Sequence, residues 1–142
     1  MELSRSYNLQ TDESSGDKSR LWLQAQNVGI GPARVVDFRV TVDGVSHPTW
    51  DAALRALIKL DSSISYGQSP INGRIIPADR LVTMMNLNDG ELAEEILSEF
   101  DRLDFEACFC SIFDECWTTS YSAFGAASPV ASCQRSDDSF IE

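Results

Sequence analysis

The sequence predicts a mainly β fold, an antiparallel immunoglobulin-like β-sandwich of about seven strands with one or two short inserted helices. Three observations predict it. Apolar residues come in short runs punctuated by Gly, Pro, Asp and Asn, with no strand–helix–strand train of the kind that builds a parallel sheet. Phe38, Val40 and Val42 alternate with Arg39, Thr41 and Asp43, the pattern of a strand buried on one face only. Asp43-Gly44 directly follows and is a two-residue hairpin signal, since both residues tolerate the left-handed backbone that a twisted hairpin needs. At 142 residues the chain is one ordinary domain, able to bury roughly 68–70% of its unfolded surface.

Taken in order, residues 1–19 are polar and read as a flexible leader or edge segment. Leu21 to Gln26 form a strand that stops at Asn27-Val28-Gly29-Ile30-Gly31-Pro32, where glycines and proline force a turn or bulge. Val35 to Val42 continue as the alternating strand. Thr49 can cap a helix beginning at Trp50, whose apolar face is Trp50, Ala53, Leu54, Leu57 and Ile58. Gly73 to Met85 read as strand, turn, strand, with Pro77 at an edge or corner because it cannot donate to a ladder. Met84 and Met85 read as core filler rather than as a metal-binding pair. Asp89 caps a second helix through Phe100, with Glu91, Glu94, Glu95 and Glu99 on its solvent face. The folded domain is expected over 20–133, with 134–142 an acidic flexible tail, and Trp22, Phe38, Val40, Phe105, Phe109, Trp117 and Tyr121 supplying much of the core.

All four cysteines lie in the last quarter, at 108, 110, 116 and 133. The runs 105–112 and 115–124 flank Phe113-Asp114 and read as a hairpin. A three-residue loop Ile112-Phe113-Asp114 puts Asp114 at the positive-φ position and Cys110 opposite Cys116, whereas a two-residue loop would oppose Cys110 to Trp117 and spoil the pair. Cys108 shares the face of Cys110 and is left for Cys133, tying the tail onto the sheet. In the chain-entropy description the short ring contributes roughly 2 kcal/mol and the longer one roughly 3.5 kcal/mol. Such pairing points to an oxidising compartment. The alternatives are an all-thiolate zinc or copper(I) site, a C-x-C redox pair at Cys108 and Cys110, or reduced structural cysteines.

Residues 89–142 hold thirteen acids against Arg102 and Arg135, while residues 1–88 hold nine of each sign, so the whole net charge of −11 lies in the last third. That balance argues against nucleic acid, which needs clustered Lys and Arg. The acidic helix face is a possible surface for a basic partner; its plainer reading is a solvated face that aids solubility. No calcium-loop pattern appears among the acids. No stretch is apolar enough for a spanning helix. His47 is the one histidine and limits any Ser-His or Cys-His scheme to itself. GIGPA (29–33) lacks the third glycine and the Lys-Ser/Thr of a phosphate loop, and Pro32 removes a cradling amide. Carboxylate pairs such as Asp101 with Asp104, or Glu94 with Glu95, read as solvated rather than as acid–base machinery. An enzyme is therefore not expected, and no cofactor or metal is expected. A solute or carbohydrate binder using Tyr66 is a further possibility.

The stretches NVGIGPARVVDFRVTVDG (27–44), GRIIPADRLVTM (73–84) and CFCSIFDECW (108–117) together resemble a group of uncharacterised bacterial proteins in which a membrane segment precedes a small extracytoplasmic β-sandwich. The group usually carries Gly where this chain has Asp114. The resemblance implies fold and location and carries no activity. MELSRSYNLQTDESSGDKSR has no apolar signal region, which fits a piece lying downstream of an anchor. The expected function is a non-catalytic extracytoplasmic interaction or structural accessory domain, periplasmic or otherwise outside the cytoplasm, with an unknown protein partner in the bacterial envelope. The expected alternative is a thiolate metal-binding or redox protein using Cys108, Cys110, Cys116 and Cys133, with a cytoplasmic location as the corresponding alternative.

Overall fold

The computed structural model describes residues 1–8, 20–60 and 64–141. Among them run ten strands and two α-helices: β1 (Glu2–Asn8), β2 (Arg20–Gln26), β3 (Ala33–Val42), β4 (Val45–His47), α1 (Trp50–Leu57), β5 (Gly67–Gln68), β6 (Ile75–Ile76), β7 (Leu81–Leu87), α2 (Gly90–Ser98), β8 (Leu103–Cys110), β9 (Cys116–Ser120) and β10 (Ala127–Val130). They make two antiparallel sheets. One has the order β1-β2-β7-β5; the other runs β10-β9-β8-β3-β4, with β6 also paired to β3. The protein is a mainly β, antiparallel structure consistent with a β-sandwich, and the ten strands exceed the expected seven by β1 and by the short β5 and β10.

Each long strand buries alternate residues. Leu21, Leu23 and Ala25 of β2 face inward, as do Leu103, Phe105, Ala107 and Phe109 of β8. Two bulges reset that period. In β3 the register skips Val36, so Val35 and Phe38 both reach the core while Asp37 pairs with Cys108 on the other face. In β7 the extra residue is Met84, which lets consecutive Met84 and Met85 both be buried as core filler.

The helices begin where their caps dictate. Thr49 accepts from the Ala52 amide at 3.1 Å and Asp89 from the Leu92 amide at 3.2 Å. Trp50 of α1 is buried with its ring 6.3 Å from Phe38 and 6.4 Å from Phe105. At Asp43-Gly44 both φ angles are positive, 52° and 81°, as a two-residue hairpin requires. Arg102 brackets this end of the fold, donating to both carboxylate oxygens of Asp43, to Glu99, and to the carbonyl of Leu57 at the end of α1.

Both ends of the chain correct the sequence reading. Of the two readings of the N-terminal segment, Glu2–Asn8 takes the edge one and not the flexible leader: it is the edge strand of its sheet, paired residue for residue with Gln26–Arg20, and Met1 and Leu3 join the core. The remainder of the expected leader, 9–19, lies outside the described residues. The acidic tail is not loose either. Phe140 is fully buried, edge-on to Trp50 at 5.0 Å and to Phe38 at 5.5 Å. The amides of Phe140 and Ile141 donate to the carbonyls of Phe38 and Pro48, both at 2.7 Å. The expected core also shifts. Phe38, Val40, Phe105 and Phe109 are buried, but Trp22, Trp117 and Tyr121 are half-buried, and Trp50 is the indole at the centre.

Candidate functional site

The three stretches that mark this chain at sequence level meet at one end of the sandwich. Ala33 and Arg34, which open β3, pair with Ile76 and Ile75 of β6 on one side, and Arg34 pairs with Cys110 of β8 on the other. That pairing brings the loop 27–32 beside the β8–β9 hairpin tip, although some eighty residues separate them in sequence.

A buried amide shapes the first loop. The Asn27 side chain, 2% exposed, donates to the carbonyls of Gly31 and Ile76 at 2.8 and 2.9 Å and accepts from the Gly29 amide at 3.0 Å. Its backbone amide donates to Arg80 and its carbonyl accepts from Asp79. The loop therefore turns tightly about Asn27 and presents Val28 and Ile30 to water, with Ile30 fully exposed. Gly29 sits so close that a Cβ there would lie 3.2 Å from the Asn27 oxygen.

The hairpin tip is held just as locally. Cys110 opposes Cys116, the Ser111 amide donates to Glu115, and the Asp114 amide donates back to Ser111. Asp114 is left-handed at φ 59°, the conformation a three-residue loop demands of its last residue. Ile112 and Phe113 stand out from this turn, 70% and 79% exposed. Arg34 holds the outer side of the tip through Asp114 at 3.3 Å.

Between the two loops lies an apolar cup of about 550 Å³. Phe109 stacked on Trp117 at 5.8 Å forms part of its lining, together with Ala33, Met1 and Ala127. Four of the ten exposed large apolar side chains among the described residues, Val28, Ile30, Ile112 and Phe113, rim it. A cup with an apolar lining, a protruding apolar rim and Glu115 as its one ionisable side chain can seat an aliphatic or aromatic group.

The cysteines pair as Cys108 with Cys133 and Cys110 with Cys116, with Cα separations of 5.6 and 4.1 Å. Two disulfides fit an oxidising compartment. The second staples the base of the hairpin that carries Ile112 and Phe113; the first binds the tail to the outer face of β8. The acidic residues of α2 do not join the cup. Glu91, Glu94 and Glu95 are exposed on α2, and Glu99 receives Arg102 at 3.2 Å. Asp104 accepts from the Ser122 amide and hydroxyl and so ties β8 to the turn after β9. His47 pairs with Val40 in β4, at the far end of β3 from the cup. Tyr66 lines a separate cleft of about 530 Å³ with Asn86, Asn88 and Asp89. The shifted side-chain ionisations are also remote from the cup. Asp43 is held below the usual carboxylate range by the Arg102 hydrogen bond, and Arg102 is raised by its hydrogen bonds to Asp43 and Glu99.

Two features of the site escape sequence reasoning. Asn27 reads as one more turn residue, although an Asn two before a Gly is the signal for a side chain that closes a turn on its own backbone. The meeting of the two loops depends on the β3–β8 pairing and has no local signature. Comparison with protein-family models, curated proteins and solved structures finds no match to this chain. No helix among the described residues is long and apolar enough to cross a membrane.

Proposed function

We propose that this chain is a non-catalytic, extracytoplasmic interaction domain of a bacterial envelope protein, tethered by an N-terminal anchor. On this reading it acts by seating an apolar segment of a partner protein in the cup between residues 28–32 and 112–115. The observation that carries the reading is the joint fixing of both loops. A buried, fully hydrogen-bonded Asn27 and a disulfide at Cys110–Cys116 hold apolar side chains out in water, where each exposed group is unfavourable unless something covers it. Loops rigid before binding lose little entropy on docking, the condition under which a small apolar contact becomes a specific one.

The occupant's chemistry follows from shape and charge. A concave, apolar cup suits a projecting aliphatic or aromatic anchor, the usual hot spot of a protein partner. The chain's net charge of −11 and the acids Asp114 and Glu115 beside the rim favour basic residues flanking that anchor and disfavour an anionic lipid surface. The two disulfides support the extracytoplasmic location.

The test is selection of displayed random peptides on the intact chain, with Ile30→Asp/Phe113→Ser as the counter-selection. Both side chains are exposed, so the double variant should fold as the parent does. Peptides with an apolar anchor beside Lys or Arg should be enriched and should lose at least tenfold in affinity for the variant. Enrichment indifferent to Ile30 and Phe113, or none at all, would overturn the reading.

A further inference from the structure

The sulfurs of Cys110, Cys116 and Cys133 all lie within 4.8 Å of one another, although Cys133 belongs to the other disulfide. Cys108 is outside that trio. Burial divides the two bonds in the same way. Cys110 and Cys116 are 2% and 7% exposed, so an external thiol has poor access to them, whereas Cys108 and Cys133 are half-buried. Cys133 is also tethered where it is needed. It follows three residues after Val130, which pairs directly with Cys116, and its sulfur rests 3.9 Å from the carbonyl of Trp117, the residue after Cys116. To bond with Cys116 it must travel from at most 4.8 Å to a bond length of about 2.05 Å.

We infer that the four cysteines form a thiol–disulfide exchange site in which Cys108–Cys133 receives an external thiol and Cys133 is the internal nucleophile that opens Cys110–Cys116. The first step is attack of an external thiolate on the Cys108 sulfur. A mixed disulfide forms there, the Cys108–Cys133 bond breaks, and the electron pair leaves on Cys133. The Cys133 thiolate then attacks the Cys116 sulfur, forming Cys116–Cys133, breaking Cys110–Cys116 and leaving the thiolate on Cys110. A second external thiolate resolves the mixed disulfide, leaving Cys108 as thiolate. In sum, two external thiols become one external disulfide, and the chain keeps one disulfide and gains two thiols. Attack at Cys133 first converges on the same products, since the second thiol then releases Cys133 itself. Exchange of this kind needs access at one bond and proximity at the other, and the two bonds divide those conditions between them.

The consequence is a route from solvent to the base of the hairpin that carries Ile112 and Phe113, through a bond that also holds the tail. The inference stands on the positions and burial of the four sulfurs and does not depend on what the cup binds.

The test uses the full chain. Wild-type protein is treated with limiting dithiothreitol, acid-quenched at intervals, alkylated, and mapped by peptide mass. Cys108 and Cys110 should become alkylated together while a Cys116–Cys133 peptide appears. Alkylation of Cys108 and Cys133 with Cys110–Cys116 retained would overturn the inference. Two substitutions give an independent check with opposite expectations. Cys108→Ala leaves Cys133 as a resident thiol and should yield Cys116–Cys133 with Cys110 alkylated. Cys133→Ala removes the nucleophile and should keep Cys110–Cys116 intact, with reduction by glutathione at least tenfold slower than in the wild type. Equal reduction rates with and without Cys133 would also overturn it, and the wild-type time course decides the matter should either variant fail to fold.

Discussion

Replacing Phe140 with Ala tests whether the end of the chain is part of the core. The ring is fully buried and packs edge-on against both Trp50 and Phe38 at 5.0 and 5.5 Å. Deleting a buried phenyl group costs about 3–5 kcal/mol through lost transfer energy and the cavity left behind. Where a site falls in that range depends on how far its surroundings collapse, and here they are pinned. The Phe140 and Ile141 amides are bonded to Phe38 and Pro48, and the Asn72 side chain donates to Ser139 and to the Phe140 carbonyl. A cost of about 4 kcal/mol is therefore expected, which for a domain of this size lowers the midpoint of thermal unfolding by roughly 10–15 °C. Urea titration followed by tryptophan fluorescence measures it directly, since Trp50 lies against the deleted ring. Ile141→Ala is the matched control, 73% exposed and expected within about 0.5 kcal/mol of the parent. A cost below about 1 kcal/mol for Phe140→Ala, with the same denaturant slope, would refute the view that this segment closes the core.

Asn27→Ala strips partners from two carbonyls and an amide in a buried loop and should cost roughly 2–4 kcal/mol by urea titration. Asp114→Val places a β-branched residue at φ 59° and should cost about 1–2 kcal/mol, whereas Asp114→Gly should stay within about 0.5 kcal/mol, relief of the left-handed strain offsetting the exposed pair with Arg34. Asp43 has its pKa lowered in the fold, chiefly by the Arg102 hydrogen bond, so its contribution is fully present above the unfolded carboxylate pKa and is lost as pH falls through the folded value. Urea midpoints of the parent and of Asp43→Asn should differ by a constant amount at neutral pH and converge in acid; a difference that widens in acid would show the sign to be wrong.

The parts of the fold legible in the sequence are those whose cause is local. Asp43-Gly44 specifies its hairpin through backbone conformation alone, and Thr49 and Asp89 mark helix starts through single side-chain hydrogen bonds. The register of the β8–β9 hairpin follows from loop length, because only an odd loop puts Cys110 opposite Cys116. Illegible were the contacts that distance in sequence conceals. β1 has Leu3 and Tyr7 as its only apolar side chains, and it forms because backbone pairing along β2 needs no apolar run. Phe140 and Ile141 are the two apolar residues of a polar tail, and Phe140 is buried where that tail crosses back over Phe38. Aromatic identity likewise does not disclose which face of a strand a residue occupies: Trp22 reads as core by its type, yet it lies on the opposite face from Leu21 and Leu23. The cup is the extreme case: each loop was recognisable as a turn, and only the β3–β8 pairing shows that their apolar tips meet.

An apolar cup held open in water raises the question of what keeps copies of the chain apart, and the charge distribution supplies an answer that can be measured. Of the acids in residues 89–142, Asp114 and Glu115 flank the cup, while Glu91, Glu94 and Glu95 stand exposed on α2, and the chain as a whole carries −11. Two such molecules repel over a distance set by screening, about 30 Å at 0.01 M salt and about 3 Å at 1 M. Raising the salt thus removes the repulsion and at the same time leaves apolar attraction intact or strengthened. Sedimentation velocity across that range should therefore show a monomer at low salt and concentration-dependent association at high salt. The association should vanish in Ile30→Asp/Phe113→Ser, which removes apolar rim groups and adds only one charge. Association that survives the double substitution would place the sticky surface elsewhere, on the remaining exposed apolar side chains such as Phe124, and would strip the cup of the property on which its reading as a docking site rests.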